Sequence, residues 1–464
     1  MQFGNEILGA VLRGHIKQGA LFATLAFTLS ACLGAPEATS GKLPFLGAGI
    51  ANPFKANNKS EEIKAAAPAG AFEQQDVGAA DKEYSQIIET LQSRKSVLAP
   101  GSAYGRVAAS VTAASSRASE AELRSARLRA VAASKNWLPT LGPSISLTSL
   151  GDFVASLIVE QVLFDNGRKK AERAFARADV EVAAVTLSQD VNDRVYEALV
   201  LYITAQKAQE KSALAERGVI QMREYHRIIE GRVNGGIADR TQLSVVSAKL
   251  SEMEADARLQ KETASTAMAE LNTMAAGGVE GLSGAESITV PRLGSGALSV
   301  ILAEAEAGRA VAQSRMDRAG LLPSVSASGD LASGKAGIKA GGAGLGFNTG
   351  DNLRAVTAQE EAASLRVGEA VEASNRRAAR LEQKVSSSAR QEADARGLAA
   401  QSAENLRLFE RQFQAGKRRV LELVSMYETV IDQSRAQIDL KYDVPLTQLE
   451  IAKEMGVLVD GAKI

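Results

Sequence analysis

Residues 329–336 read GDLASGKA and place Gly329, Gly334 and Lys335 at the spacing of a phosphate-binding loop. Such a loop needs a serine or threonine after its lysine to hold Mg²⁺, but residue 336 is alanine. It also needs a helix directly after it, whereas the chain continues with the glycine-rich segment GIKAGGAGLGF, whose GAGLG lacks dinucleotide-motif spacing. We therefore predict no nucleotide site and interpret these glycines and serines as residues of a hairpin turn.

Residues for catalysis or metal binding are scarce. The chain of 464 residues has two histidines, His15 and His226, and one cysteine, Cys32. A Ser/His/Asp triad or a multi-histidine metal site has too few residues to be built, and His226 in REYHRIIEG is predicted to lie on the surface of a helix. Basic and acidic residues number 54 each, so charge indicates no nucleic-acid partner. We predict that the protein is not an enzyme and has no cofactor and no metal site.

The single cysteine follows a segment typical of secreted bacterial proteins. Basic residues precede the apolar stretch 19–31, and residues 29–32 read LSAC, the processing box of lipoproteins. We predict a lipoprotein signal peptide over residues 1–31 and acylation of Cys32, which would anchor the chain in lipid. By resemblance to enterobacterial sorting, Leu33 in place of aspartate favours the outer membrane of a Gram-negative bacterium. The alternative is an ordinary signal peptide with a coincidental cysteine.

The positions of the prolines indicate long helices. Residues 32–85 are rich in Ala, Gly, Pro and Asn and are interpreted as a flexible tether that leads into the body of the protein. The intervals Pro143–Pro291 and Pro323–Pro445 contain no proline and show apolar residues at helical spacing. No uninterrupted apolar run of about 18 residues follows the signal segment, so any membrane crossing is predicted to use strands.

The chain contains an internal repeat. NWLPTLGPSISLTS at 136–149 parallels GLLPSVSASGDLAS at 320–333, and two further segment pairs follow in the same order at an offset of about 180 residues. Each copy is predicted to contain a helix, a β-hairpin, a very long helix, a glycine-centred tip and a returning helix. The predicted domains are 86–290, with hairpin 139–164 and tip 232–242, and 291–464, with hairpin 322–347 and tip 413–423.

Both hairpins alternate in polarity with the period of a strand. In the first, Leu141, Ile145 and Leu147 lie on one face and hydroxyl side chains on the other; the second is less hydrophobic. Runs of about 10 to 12 residues with this pattern are typical of outer-membrane barrels. Four strands cannot close a barrel, and open strand edges are unfavourable in lipid, so several chains would have to assemble. Two soluble hairpins are the alternative.

With these features the chain resembles the TolC outer-membrane efflux family over about residues 100–455. The resemblance rests on the repeat, the Leu-Pro pairs at 138–139 and 322–323, LFDNG and GFNTG after the hairpins, and the glycine-centred tips. It implies a mainly α fold with a membrane β-barrel. Long antiparallel coiled-coil helices form an α-barrel, and four strands from each chain of a homotrimer form one twelve-stranded β-barrel.

The same resemblance implies a passive export channel of a tripartite efflux or type I secretion system. Its partners would be a periplasmic adaptor (membrane fusion) protein and, through it, an inner-membrane transporter that is ABC-type or proton-driven. The helical body would lie in the periplasm. A rival function is a lipid-anchored periplasmic coiled-coil scaffold or adaptor that never spans the membrane, which the low hydrophobicity of the second hairpin favours.

The resemblance places the channel entrance at the tips. Glu422 matches an acidic ring, and Arg418 matches an arginine that links to a neighbouring helix. The partner positions depart from the family pattern, because Gln242 replaces an acidic residue and Phe413 replaces a tyrosine. We expect the entrance to be held shut less tightly than the family pattern implies, since each lost hydrogen bond is worth about 0.5 to 1.5 kcal/mol.

Two alternatives stay open at the tips. Asp239 could pair with Arg418 and restore the link, and Phe413 could be a packing residue beside Leu406 and Phe409. The exposed tips are also the surfaces on which adaptors dock in the family. The residues expected to form this docking surface are Gly236, Ile237, Gly416 and Val420.

Overall fold

The computed structural model describes residues 85–114, 117–147, 153–291, 296–331, 333–342 and 346–463. All of them belong to the compact unit Gly78–Ile464. The predicted signal peptide, Cys32, His15 and all of the predicted tether except Ser85 lie outside the described residues.

The described elements follow the predicted repeat. Two short helices, α1 (Gln86–Gln92) and α2 (Ala103–Ala113), come first. The first copy then comprises α3 (Ala118–Ser134), β1 (Thr140–Leu147), β2 (Phe153–Phe164), α4 (Arg168–Asn234) and α5 (Arg240–Met274). The second comprises α6 (Leu298–Gly320), β3 (Ser324–Asp330), β4 (Ala336–Gly341), α7 (Thr349–Gln414) and α8 (Val420–Glu454), followed by a 3₁₀ turn at Gly461–Lys463. The long helices α4 and α7 have 67 and 66 residues, and α5 and α8 have 35 each, so the copies match in length as well as order.

The long helices follow from the composition of their segments. Ala, Glu, Arg and Gln dominate α4 and α7, and these residues lose little side-chain entropy in a helix. At a rise of ~1.5 Å per residue, each is about 100 Å long. Helix α8 is longer than the proline-free interval Pro323–Pro445 indicates, because it continues through Pro445 to Glu454. Pro445 cannot donate a hydrogen bond to the carbonyl of Lys441, and its ring is buried within the packed helices.

One antiparallel sheet joins the two copies in the order β1-β2-β3-β4. The central pair runs from Ile158 opposite Asp330 to Phe164 opposite Val325, with an irregularity between Val162 and Phe164. The second hairpin is shorter than the sequence pattern predicts, because β3 has 7 residues and β4 has 6. The edge strands β1 and β4 each pair on one side only within the described part of the chain.

The turn in GDLASGKA reverses the second hairpin, as predicted. Gly334 has a φ of +67°, a conformation that glycine adopts without steric cost. Its N–H donates to the carbonyl oxygen of Asp330 at 2.9 Å, and the N–H of Asp330 donates to the carbonyl oxygen of Lys335 at 2.8 Å. The glycine therefore serves turn geometry.

The two faces of the sheet differ in polarity. Cross-strand partners share a face, so the register assigns the side chains to one mainly apolar set and one mixed, more polar set. The apolar face includes Leu141, Leu157, Val159, Val325, Ala327 and Ile338, together with Gln161. The polar face includes Glu160, Ser326, Ser328, Asp330 and Lys339, together with Ile158 and Val162. Leu141 and Ile338 on the apolar face are 63% and 73% exposed, so no part of the described chain covers that face.

The main apolar cluster lies where α1, α2, α4, α6 and α8 meet. Tyr104 and Tyr202 pack edge to face there, with ring centroids 5.9 Å apart. The C-terminal segment closes the cluster, since the N–H of Val97 donates to the carbonyl oxygen of Val457 at 2.9 Å. Among the described residues, none of the helices combines the length and hydropathy required to cross a lipid bilayer.

Arg117 and Asp190 form a two-bond ion pair that ties the start of α3 to α4. Ser119 donates a further hydrogen bond to Asp190 at 2.7 Å. The hydrogen bonds from Arg117 hold the pKa of Asp190 below its usual range. A depressed folded-state pKa contributes stability above the unfolded pKa of about 3.9, and this contribution is lost as pH falls through the folded value.

We therefore predict that Arg117→Gln lowers the thermal unfolding midpoint at pH 7, and that the gap to wild type narrows as pH is lowered below about 4. Circular dichroism melts of the purified protein between pH 7 and pH 2.5 measure this. Arg227→Gln is the control, because the Arg227–Glu224 pair is largely exposed and such pairs contribute little. An equal effect of the two substitutions, or a gap that does not change with pH, would contradict the prediction.

Candidate functional site

The described residues include no group of three or more His, Cys, Asp or Glu side chains that could hold a metal ion. His226, predicted to be a surface residue, is half-buried between α4 and α5, with Nε2 3.0 Å from Ser247 Oγ. The Ser247 hydroxyl donates to the carbonyl oxygen of Leu243 at 2.8 Å, so its proton is held by the backbone of its own helix. This contact joins two helices and lacks the geometry of a nucleophile and its base.

The two helical tips share one backbone structure. Gly236 and Gly416 follow the C-termini of α4 and α7, and each has a φ of +72°. Each glycine N–H donates to the carbonyl three residues earlier, at 3.0 Å and 2.9 Å, and the next N–H donates to the carbonyl five residues earlier, at 2.8 Å and 2.9 Å. These bonds form a Schellman motif, which satisfies the last carbonyls of a helix and reverses the chain. Equivalent glycines therefore end the long helix in both repeats.

An apolar cluster, here called the tip cluster, holds the four long helices together above the turns. Tyr225 of α4 and Tyr427 of α8 pack edge to face within it, with ring centroids 5.7 Å apart. Burial raises the pKa of both phenols, which keeps them neutral. The buried members are Val219, Met222, Tyr225, Ile229, Val246, Met253, Leu406, Val420, Leu423, Val424, Tyr427 and Ile431. The tips are thus fixed to each other by packing within one chain.

Arg418 makes three contacts, all within its own helical hairpin. Its Nε donates to Gln412 Oε1 at 2.9 Å, and its Nη1 donates to Glu422 Oε2 at 2.9 Å. The guanidinium carbon lies 4.6 Å from the centroid of the Phe409 ring, at cation–π distance. Arg418 and Glu422, both predicted at the entrance, therefore come together, and they pair with each other.

The other predicted entrance residues have separate partners. Asp239 Oδ1 accepts a hydrogen bond from the N–H of Thr241 at 3.1 Å and caps α5, so within the chain it does not pair with Arg418. Phe413 is half-buried against the tip cluster, and the guanidinium of Arg232 lies 5.8 Å from its ring. Gln242 is half-buried in the first turn of α5. The packing interpretation of Phe413 gains support from these contacts.

The predicted docking residues differ in exposure. Gly236 and Gly416 are exposed at the turns, and Ile237 is 75% exposed, a large fraction for an isoleucine. Val420 is 3% exposed and belongs to the tip cluster, so its side chain offers no surface to a partner. Any contribution of Val420 to docking would have to act through the position of the second tip.

Sequence reasoning missed three side chains of this region: Gln412, Phe409 as a partner of Arg418, and Arg232. Gln412 has a detectable signal, because the Schellman turn at Gly416 brings the residue four positions before the glycine next to those just after it. Arg232 and Phe413 come from different repeats, so no local spacing relates them.

No known family profile and no curated protein matches the sequence. Solved structures do match. A membrane protein from Pseudomonas aeruginosa superposes with a TM-score of 0.67 and 15% identity over 85% of this chain and 98% of that chain. The CmeC outer membrane channel of Campylobacter jejuni superposes with a TM-score of 0.61 and 10% identity, over 77% of this chain and 86% of that chain. The MtrE outer membrane channel of Neisseria gonorrhoeae, in its open state, superposes with a TM-score of 0.61 and 14% identity, over 81% of this chain and 89% of that chain.

These similarities establish the fold. The chain has the architecture of TolC-like outer-membrane channels, so the predicted family resemblance and mainly helical fold class with four strands per chain are confirmed. Because the identities lie between 10% and 15%, the comparisons bear on fold rather than on cargo or partners.

The positive φ at the tips generates a prediction. Gly416→Ala is expected to lower the thermal unfolding midpoint, because a left-handed conformation costs an alanine about 1 to 2 kcal/mol. Gly397→Ala is the matched control. Gly397 lies exposed inside α7, and a Cβ at either glycine meets no atom within 4 Å. The control should instead gain about 0.5 to 1 kcal/mol of stability. Thermal melts of both variants measure this. If the two unfolding midpoints shift in the same direction, the need for glycine at residue 416 is refuted.

Proposed function

We propose that this protein is an outer-membrane channel-tunnel of a tripartite efflux or type I secretion system, in which it acts as a passive export conduit. The observation that carries the proposal is the sheet, which on a chain with this fold has an exposed apolar face and two edges that no described strand pairs with. Open edges are unfavourable in lipid, and three chains of four strands would close them in a twelve-stranded barrel.

Exposed aromatic residues support a membrane position for the sheet. Trp137 precedes β1, Phe164 ends β2 and Phe347 follows β4, so all three lie at the end of the sheet from which the helices extend. Trp137 and Phe164 are 62% and 58% exposed, and Phe347 is fully exposed. Aromatic girdles at this level mark the membrane–water interface of outer-membrane barrels. The helical body would then lie in the periplasm.

Long helices with uncovered apolar residues support a homotrimer. Leu365 and Leu398 of α7 are 61% and 48% exposed, and Leu259 of α5 is 57% exposed. Helices with such residues bury them against another element, and a neighbouring copy would supply it. Acylation of Cys32 in the outer membrane of a Gram-negative bacterium would add a lipid anchor.

The partners belong to the same proposal. A periplasmic adaptor would dock on the exposed tip residues Gly236, Ile237 and Gly416, and would join the tunnel to an ABC or proton-driven transporter of the inner membrane. Ile237 is the large apolar residue available for such a contact, since Val420 is buried.

We further propose that the entrance between the tips is held shut weakly. Arg418 already donates to Gln412 and Glu422 and lies over the Phe409 ring within its own chain, so a link to another helix would compete with these contacts. Phe413 has no hydroxyl and Asp239 is used as a helix cap. The constriction would then rest on Glu422 alone.

A periplasmic scaffold is the second candidate. The observation that favours it is the length of the second hairpin, since strands of 7 and 6 residues are shorter than the ~9 to 11 that cross a bilayer when tilted. The exposed aromatics and the apolar face of the sheet favour the channel.

The first test is the native mass of the full-length protein extracted in mild detergent. A complex of three chains that requires detergent for extraction is expected, because the apolar face and the strand edges are then satisfied within a barrel. A monomer, or release by high salt once residue 32 is changed by Cys32→Ser, would support the scaffold instead.

The second test concerns the entrance. Trimers in a planar bilayer are expected to conduct without an adaptor. The double variant Gln242→Asp/Phe413→Tyr should lower the conducting fraction at least about tenfold, because it adds hydrogen-bonding groups in three copies. Gln242→Asn/Phe413→Leu is the control of similar size and should conduct like wild type. Wild-type trimers that are fully sealed would overturn the proposal.

A further inference from the structure

A second groove lies at the other end of the long helices, where the sheet meets α4 and α6. Its volume is about 280 Å³, and it is bordered by Asn166, Lys170, Arg315, Arg318 and Leu322, with alanines at its base. This junction groove plays no part in the helical tips or in the proposed entrance.

Three cations line the junction groove without partners. Among the described residues, Lys170, Arg315 and Arg318 form no ion pair, and all three are exposed. Neighbouring cations are compensated, since Arg168 pairs with Glu172 at 3.3 Å and Arg309 pairs with Asp179 at 3.2 Å. Like charges around one groove repel each other, and an anion between them removes that repulsion.

The position of Lys170 strengthens the argument for an anion. It lies in the first turn of α4, which has no acidic residue there. The N-terminus of a helix is its positive end, so a cation is unfavourable there. The Asp165 carboxylate accepts hydrogen bonds from the N–H groups of Gly167 and Lys169 at 3.1 Å and 2.7 Å, but it lines the cavity on the other side of α4. Arg318 lies in the last turn of α6, where a cation is favourable on its own account, but neither Lys170 nor Arg315 has that explanation.

The groove opens on the side of α4 that faces away from the polar face of the sheet. A separate cavity beside Glu160, Ser324 and Ser326 is lined by Arg168, Lys169 and Glu172 of α4. The junction groove is lined by Lys170, Ala171 and Ala174, which project from the opposite side of the same helix at ~100° per residue. The groove thus lies below the apolar face and within a turn of the exposed Leu163 and Phe164.

We propose that the junction groove binds the phosphodiester of an anionic phospholipid, whose acyl chains lie against the apolar face of the sheet. The inference rests on the proposed membrane position of that sheet. Cationic side chains just outside an apolar band, with Leu322 and Phe164 between the two, match the order of headgroup and acyl chain in a lipid.

The test uses full-length protein purified in mild detergent and fluorescent phosphatidylglycerol. Wild type should bind it, and Lys170→Gln/Arg315→Gln/Arg318→Gln should bind roughly 10- to 100-fold more weakly. The matched control is Arg380→Gln/Lys384→Gln/Arg390→Gln, which removes the same number and kinds of exposed cations from α7, more than 30 residues from its start. The control should bind like wild type, and Arg315→Gln alone should lose part of the affinity if the triple variant proves unstable.

Phosphatidylcholine and inorganic phosphate separate the sources of the anion. Preference for phosphatidylglycerol over phosphatidylcholine, undiminished by millimolar phosphate, supports the proposal. Equal binding of the two lipids, equal loss in the control variant, or full displacement by inorganic phosphate would overturn it. Failure of the channel proposal is distinguishable, because it shows as extraction without detergent, whereas failure of this inference leaves extraction and native mass unchanged.

Discussion

Backbone N–H and C=O groups along the outer edges of β1 and β4 have no partner within the described part of the chain, and the sheet between them exposes an apolar face. The unpaired edges make an isolated chain unfavourable in lipid, and the exposed apolar face makes it unfavourable in water. In the proposed trimer the β1 edge of one chain pairs with the β4 edge of the next, so their backbone N–H and C=O groups form hydrogen bonds. The apolar face of the sheet then contacts lipid. The exposed leucines of α5 and α7 likewise require contact with a neighbouring chain in the helical body.

Three apolar clusters, two large and one small, hold the described helices together. The main cluster joins α1, α2, α4, α6 and α8, and the C-terminal segment closes it. The tip cluster lies at the far end and joins the two helical hairpins. Between them α7 buries few large apolar residues, and several of its buried positions are serine or Glu392. A seam of this kind contributes less to stability than an aliphatic one. The small third cluster of Ala378, Leu381 and Ile451 packs the middle of α7 against α8.

Charge placement follows from the same plan. At the tips, Arg418 finds its acceptors on neighbouring turns of its own hairpin. At the sheet, Lys170, Arg315 and Arg318 find none among the described residues, although Glu172 and Asp179 are used by cations nearby. Arg418 pairs with Glu422, which lies four residues further along the chain, whereas Lys170, Arg315 and Arg318 make no such pair among the described residues. These three cations lie where the protein is proposed to meet lipid headgroups.

The sequence alone determined the order of elements, because an internal repeat, proline-free intervals and glycine-centred tips are all local patterns. It predicted the tips at Gly236 and Gly416 and the hairpin turn at Gly334, where a positive φ requires glycine. The tertiary structure decided the features that depend on packing between the two repeats. It extended α8 through Pro445, shortened the second β-hairpin, buried Val420 and gave Arg418 partners other than the neighbouring helix that the family resemblance implied. Side-chain partners depend on how helices from distant parts of the chain are rotated against each other, and that rotation is set by the buried clusters as a whole.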